Sequence, residues 1–273
     1  MWIKKSEIEK LSAEVKQLIA GEDIDLRDHR EGSLKILRND IHTLVSNRNE
    51  RVKNLQEERE ILKTTLADIS HQIKTPLTSV MILSELLEEA PPEKQVEFIS
   101  NIQLTLQRTE WLVSSLLKLA KLDAKAIVFK KEPVTATELI EAAVAPLRIQ
   151  LEVKNQEIVF HGVQSFICDK RWTAEALGNV IKNASEHAPI ESTIKIEAGR
   201  NPICSWISIT DEGPGLERAQ ISKLFKRFEG GNSQGYGIGL PLALTIMKNQ
   251  LGDIDVDPGG KNQGATFTLK FFK

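Results

Sequence analysis

Ile69-Ser70-His71-Gln72-Ile73-Lys74-Thr75-Pro76-Leu77-Thr78 sets one histidine at a defined point of a long apolar-periodic segment, with a proline five residues on. Working outward, apolar residues return at every seventh position. One ladder is Val45, Val52, Leu66, Ile73, Val80 and Leu87, interrupted by Arg59. The other is Ile41, Leu55, Leu62, Ile69 and Leu83, interrupted by Arg48 and Pro76. These are a and d positions of a coiled-coil-like helix. With Leu66 at a and Ile69 at d, His71 falls at f, on the face turned from the seam. A core histidine would sit in a ladder, so this one is expected to point to water. Pro76 has no N–H to give the Gln72 carbonyl, so a bend and a freed acceptor beside His71 are expected. The segment alone fits either a surface histidine on a kinked helix or a reactive one.

The periodicity predicts one helix from about Ser33 to about Glu89, on the order of 80 Å long. Ala90-Pro91-Pro92 stops it. A second helix follows, with Ile99, Ile102, Leu106, Thr109, Val113, Leu116 and Ala120 spaced by three and four. The apolar stripe of this hairpin is too exposed for one copy, so two copies are expected to pair into a four-helix bundle. Ahead of it, Ile8, Leu11, Val15, Leu18 and Ile19 predict a short amphipathic helix ending at Gly21.

After Leu122 the character changes. Strand signals at Ile158–Val163, Phe166–Cys168, Thr193–Ala198, Cys204–Thr210 and Ala265–Phe271 alternate with helix signals at Thr137–Val153, Thr173–His187, Leu216–Ile221 and Leu240–Leu251. This pattern predicts an α/β sandwich, with helices on one face of a mostly antiparallel sheet. The expected division is a coiled-coil segment at 1–60, the helical hairpin at 61–128 and the α/β domain at 129–273, with the linker between the last two near Pro133.

Of the 273 residues, 27% are charged and 41% hydrophobic, as in soluble globular proteins. The formal net charge of -2 gives no drive toward nucleic acid or anionic membrane. The two cysteines, Cys168 and Cys204, have no metal-ligand spacing, and buried free thiols are expected. No apolar run approaches the ~20 residues that span a bilayer. Met1-Trp2-Ile3-Lys4-Lys5 nevertheless has the Trp and Lys content found just inside membranes. A membrane anchor upstream of this sequence, with the chain on its cytoplasmic side, is expected.

Three constellations in the second half carry chemistry. Asn179 and Asn183 stand four apart on a predicted helix and share a face. They are either surface polar residues or hard neutral ligands suited to Mg²⁺ held mainly by phosphate and water. In Thr210-Asp211-Glu212-Gly213-Pro214-Gly215, a strand delivers an aspartate into a glycine-bounded turn. This is either a hairpin turn or a carboxylate placed to accept from an exocyclic amine such as adenine's. Gly230-Gly231-Asn232-Ser233-Gln234-Gly235-Tyr236-Gly237-Ile238-Gly239 runs into a helix. It is either a mobile loop or a phosphate cradle at a helix N-terminus.

Taken in order, an asparagine pair, Asp-x-Gly-x-Gly and Gly-x-Gly-x-Gly behind a histidine hairpin resemble the sensor histidine kinases of two-component systems. The resemblance covers about residues 60–273. Ile69–Thr78 resembles the H box, Asn179–Asn183 the N box, Asp211–Gly215 the G1 box, Leu224–Phe228 the F box and Gly235–Gly239 the G2 box. Gly264-Ala265-Thr266-Phe267 resembles the last nucleotide-contact motif. The resemblance implies a Bergerat-type ATP-binding fold, a homodimer, and ATP with Mg²⁺ as cofactors. Residues 1–60 resemble, weakly, a membrane-proximal signalling linker of divergent HAMP-like type.

By this resemblance, Asp211 reads adenine, Asn183 holds Mg²⁺ and Asn179 sits near the phosphates. His187, Gly213, Gly215, Gly235, Gly237, Gly239 and Thr266 line the nucleotide. His71 takes the γ-phosphoryl group on a neutral imidazole nitrogen, available near pH 7 given a reference pKa of ~6.5. The group then passes to an aspartate of a separate response regulator. Thr75, one turn after His71, implies a phosphatase role toward the regulator. Three departures stand out. Gln72 replaces the family's acidic residue, Glu186 replaces a basic one, and the lid between Phe228 and Gly235 is short. Gln72 and Glu186 leave a competing reading, a degenerate kinase that acts mainly as a nucleotide-binding regulator or phosphatase. A gyrase- or chaperone-like ATPase would carry a water-activating glutamate at Asn179 and would lack the hairpin.

Overall fold

The heptad ladders become one long helix. The computed structural model describes residues 5–19, 33–162, 164–229, 236–260 and 263–272. Helix α1 is Lys5–Ile19 and α2 is Ser33–Glu89, which continues through Pro76. The expected turn at 20–32 lies outside the described residues. Helix α3, Pro92–Asp123, starts with proline in its first turn, where a missing N–H costs nothing.

The chain forms two units, Met1–Ser70 and His71–Lys273. In the first, Leu11 and Val45 are buried together, with Val15 and Ile41 against them. Among the described residues, no helix is long and apolar enough to cross a membrane.

In the second unit, a five-stranded sheet has the order β2-β4-β5-β7-β6. Its strands are β2 (Glu157–His161), β4 (Thr193–Arg200), β5 (Cys204–Thr210), β6 (Gly252–Asp257) and β7 (Thr266–Phe272). Only β2 and β4 run parallel. Side chains alternate across a strand, so Ile194 and Ile196, Ile207 and Ile209, and Phe267 and Leu269 all enter one core. Helices α4 (Ala136–Val144), α6 (Lys170–His187) and α8 (Gly239–Asn249) cover that face with Leu139, Leu177, Ile181, Leu242 and Ile246.

Several boundaries differ from the sequence reading. The expected helix Thr137–Val153 is broken into α4, a 3-10 turn at Ala145–Leu147 and α5, Arg148–Val153, because Pro146 cannot continue an α-helix. Pro133, expected in a linker, lies in strand β1, Glu132–Thr135, opposite Ile167 of β3, Ser165–Cys168. Strand β6 was not foreseen. Helix α7 is Arg218–Leu224. Cys168 and Cys204 are buried free thiols.

Helix α3 packs its C-terminal half on the α/β domain through Leu112, Ser115, Leu119 and Leu122, all buried. Polar contacts flank this seam. Lys118 Nζ is 2.7 Å from Glu175, the Lys182 ammonium stands 4.4 Å above the Trp111 ring, and Arg227 binds both Asp123 oxygens at 2.9 and 2.8 Å.

Candidate functional site

Strand β5 ends at Thr210 and presents Asp211 at the edge of the core. Asp211 is buried, and its Oδ1 accepts from the N–H of Gly213 at 2.8 Å and of Ala265 at 3.3 Å. Burial pushes its carboxyl up from the ordinary range; the two N–H groups and the charge of His187 pull it back. Both hydrogen bonds fall on Oδ1, which leaves Oδ2 as the oxygen able to read a ligand.

Four segments converge here. Asp211 N–H donates to the Ala265 carbonyl at 3.1 Å, and Gly264 N–H to the Gly213 carbonyl at 3.0 Å. The Thr210 and Thr266 hydroxyls are 2.9 Å apart. Leu216 N–H donates to the Pro258 carbonyl, so Gly215 lies against the Pro258–Gly260 turn. Gly264 (φ +74) approaches so closely that a Cβ there would lie 1.8 Å from the Asp211 carbonyl oxygen. His187, exposed at the end of α6, has its carbonyl 3.0 Å from where Gly213 would carry a Cβ.

A second convergence joins α6 to the start of α8. Asn179 is buried, donates from Nδ2 to the Glu175 carbonyl at 2.9 Å, and places Oδ1 3.0 Å from the Cβ position of Gly239. Two motifs sixty residues apart in the chain thus meet. The Gly237 carbonyl accepts from Phe228 N–H at 3.1 Å. Gly235 and the short lid lie outside the described residues.

Asn183, one turn after Asn179, is half-buried, and among the described residues none hydrogen-bonds its side chain. A neutral amide oxygen left open in this way fits Mg²⁺ brought in on phosphates. Among the described residues, no group of three or more His, Cys, Asp or Glu is placed to hold a metal by itself. Glu186 points its carboxylate to Lys182, 3.8 Å away.

His71, Gln72 and Thr75 sit apart from these segments on α2. His71 is exposed, as its f position predicts. Gln72 is half-buried, and the exposed Thr75 donates its hydroxyl to the His71 carbonyl at 3.1 Å. The sequence reading missed Ala265 as an anchor for Asp211, and the Pro258-Gly259-Gly260 turn behind Gly215. The Pro-Gly pair was a usable turn signal.

Comparison with known proteins matches two stretches of the chain to family models. Residues 61–125 match the His Kinase A (phospho-acceptor) domain. Residues 168–273 match the histidine kinase-, DNA gyrase B- and HSP90-like ATPase family. The sensor protein kinase PmrB of Pseudomonas aeruginosa is 24% identical over 82% of this chain and 48% of its own length. The signal transduction histidine-protein kinase BaeS of Escherichia coli is 25% identical over 77% of this chain and 47% of its own. The chain therefore spans about half the length of the curated relatives it matches. In fold it is similar to histidine kinase ThkA, solved in complex with the response regulator protein TrrA. The TM-score is 0.66 at 20% identity, covering 83% of this chain and 66% of that one. With the phospho-acceptor domain followed by the ATPase domain, the chain belongs to the sensor histidine kinases of two-component systems.

Proposed function

We propose that the chain binds ATP in its α/β domain, phosphorylates its own His71 and passes the phosphoryl group to an aspartate of a separate response regulator. The observation that carries this is the buried Asp211, held by two N–H groups on one oxygen, with Gly213 and Gly264 close against it. A carboxylate so fixed accepts from an exocyclic amine in an apolar site. Asn179 beside Gly239 marks the phosphate end. Asn183 would hold Mg²⁺ there, and the ion would supply charge neutralisation. A neutral His71 nitrogen forms the N–P bond as the bond from the γ-phosphorus to its bridging oxygen breaks and ADP leaves. Such a step needs in-line placement more than covalent help.

The domain order supports a division into a signalling linker at 1–60, a dimerisation and phosphotransfer domain at 61–128 and an ATP-binding domain at 129–273. A homodimer is supported by the exposed apolar residues of the hairpin, among them Met81, Leu86, Leu106, Val113 and Leu117. ThkA's partner supports a regulator as acceptor. The test is to label the chain with γ-labelled ATP and add a receiver domain. Label is expected to leave the chain and appear on the receiver; label that stays on the chain with every receiver tried counts against transfer.

Gln72 favours a second reading, the degenerate kinase, because its amide can orient the imidazole but cannot take a proton. Glu186 is the other departure behind that reading, and its carboxylate faces Lys182 at 3.8 Å. We expect Gln72→Glu to raise the autophosphorylation rate about ten-fold or more, within the usual contribution of a positioned base. An unchanged or lower rate would remove the argument. The Thr75 hydroxyl donates to the His71 carbonyl; released from that bond, it would position water for regulator dephosphorylation. A Thr75→Ala variant is expected to keep autokinase activity and lose most phosphatase activity. Dephosphorylation at the parental rate would show that the hydroxyl serves only the helix.

A further inference from the structure

The end of α6 carries Asn183 and His187, and side chains from the turn between α5 and β2 hold it in place. The last carbonyls of a helix have no partners within it. Here no glycine follows the helix: Ala188 continues in extended conformation (φ -72, ψ 148). Lys154 instead donates from Nζ to the carbonyls of Ser185 at 2.6 Å and Glu186 at 3.2 Å. A cation at that end also meets the negative pole of the helix. Gln156 is buried. Its Nε2 has the carbonyls of Ser185, Ala188 and Pro189 at 3.2, 3.3 and 2.9 Å, and Ser192 Oγ at 3.3 Å. Its Oε1 accepts from Ser185 Oγ at 2.7 Å. The two turns also interlock through the backbone, Glu191 N–H to the Lys154 carbonyl and Glu157 N–H to the Ser192 carbonyl.

This clamp bears on the nucleotide site through one short link. The His187 carbonyl packs on Gly213, whose N–H fixes Asp211. A helix end free to shift would move His187 and Asn183 against the Asp211 turn. We propose that Lys154 and Gln156 are positioning residues for nucleotide. They set the spacing between the end of α6 and Asp211, and so the width of the purine cleft, without touching the ligand. The inference rests on the ATP-binding reading above.

Lys154→Met keeps the aliphatic stem and removes the donors, whereas Lys154→Arg keeps donors and charge. The full chain would be titrated with ADP by calorimetry, melted, and assayed for autophosphorylation across ATP concentrations. Lys154→Met is expected to weaken ADP binding and raise the KM for ATP about ten-fold. The rate at saturating ATP stays near the parental value, and Lys154→Arg restores affinity. Gln156→Leu is expected to act in the same direction. Parental ADP affinity in a folded Lys154→Met chain would overturn the proposal. So would a loss confined to the saturated rate, which marks a structural lesion. A parent chain that binds no ADP would defeat the ATP-binding reading itself, and the clamp's role with it.

Discussion

An Asp211→Asn chain is expected to fold as the parent does and to bind nucleotide about a hundred-fold more weakly. The amide keeps one oxygen, and the N–H groups of Gly213 and Ala265 dictate which way it turns, because an NH₂ facing two donors would leave all of them unpaired. Oxygen therefore stays at the Oδ1 position and NH₂ takes the place of Oδ2. That group meets an exocyclic amine donor to donor. Losing a charge-assisted hydrogen bond and adding this mismatch accounts for the expected size. The carboxyl's raised pKa works in the same direction: its ionisation opposes burial, so removing the charge relieves the fold rather than straining it. Calorimetric titration with ADP beside a thermal melt separates the two effects. An Asn variant that binds as the parent does would remove Asp211 from the purine site.

Replacing Gly264 with alanine is expected to destabilise the α/β domain by about 2–5 kcal/mol and to abolish nucleotide binding. The residue sits at φ +74, where a Cβ alone costs about 1–2 kcal/mol. That Cβ would also fall 1.8 Å from the Asp211 carbonyl oxygen and 2.7 Å from its carbon. Neither segment can yield easily, since Gly264 is bonded to Gly213 and Ala265 to Asp211 on either side of the contact. Backing away would part β7 from the turn that holds the carboxylate. Gly260→Ala is the control. The nearest atoms to its Cβ would be those of the flexible Gln263 side chain, which can turn away, so a loss under about 1 kcal/mol is expected. Denaturant melts of both variants check the contrast. Equal losses would mean that the close approach at Gly264 is not what holds this turn together.

The helical hairpin was legible because heptads are a local signal repeated many times, and the stop at Pro91-Pro92 is unambiguous. Pro146 was equally visible, yet a strong helix pattern on both sides hid the break it makes. Strand β6 escaped because Asp253, Asp255 and Asp257 occupy its outward positions. Aspartate is a poor strand former, although Ile254 and Val256 do alternate with it. Strand β1 is four residues long and contains Pro133, tolerable only because its partner sheet has two strands and β1 is an edge.

The site divides in the same way. Asp211 and the glycines announced themselves, since a strand running into Asp-x-Gly-x-Gly has few uses. Each neighbour they meet is far away in sequence. Asn179 against Gly239, Ala265 against Asp211 and Gln156 against the end of α6 are tertiary contacts with no periodic trace. The charge of Glu186 looked adverse in sequence, although Lys182, four residues earlier on the same predicted helix, was a legible partner and does face it.

The most direct test of the whole account is to incubate the chain with Mg²⁺ and γ-labelled ATP beside a His71→Ala variant and to follow acid-labile, alkali-stable label. The account predicts label on the parent and none on His71→Ala, with ADP affinity the same in both. Label that persists in His71→Ala, or a parent that binds ATP tightly and never takes up label, would contradict it.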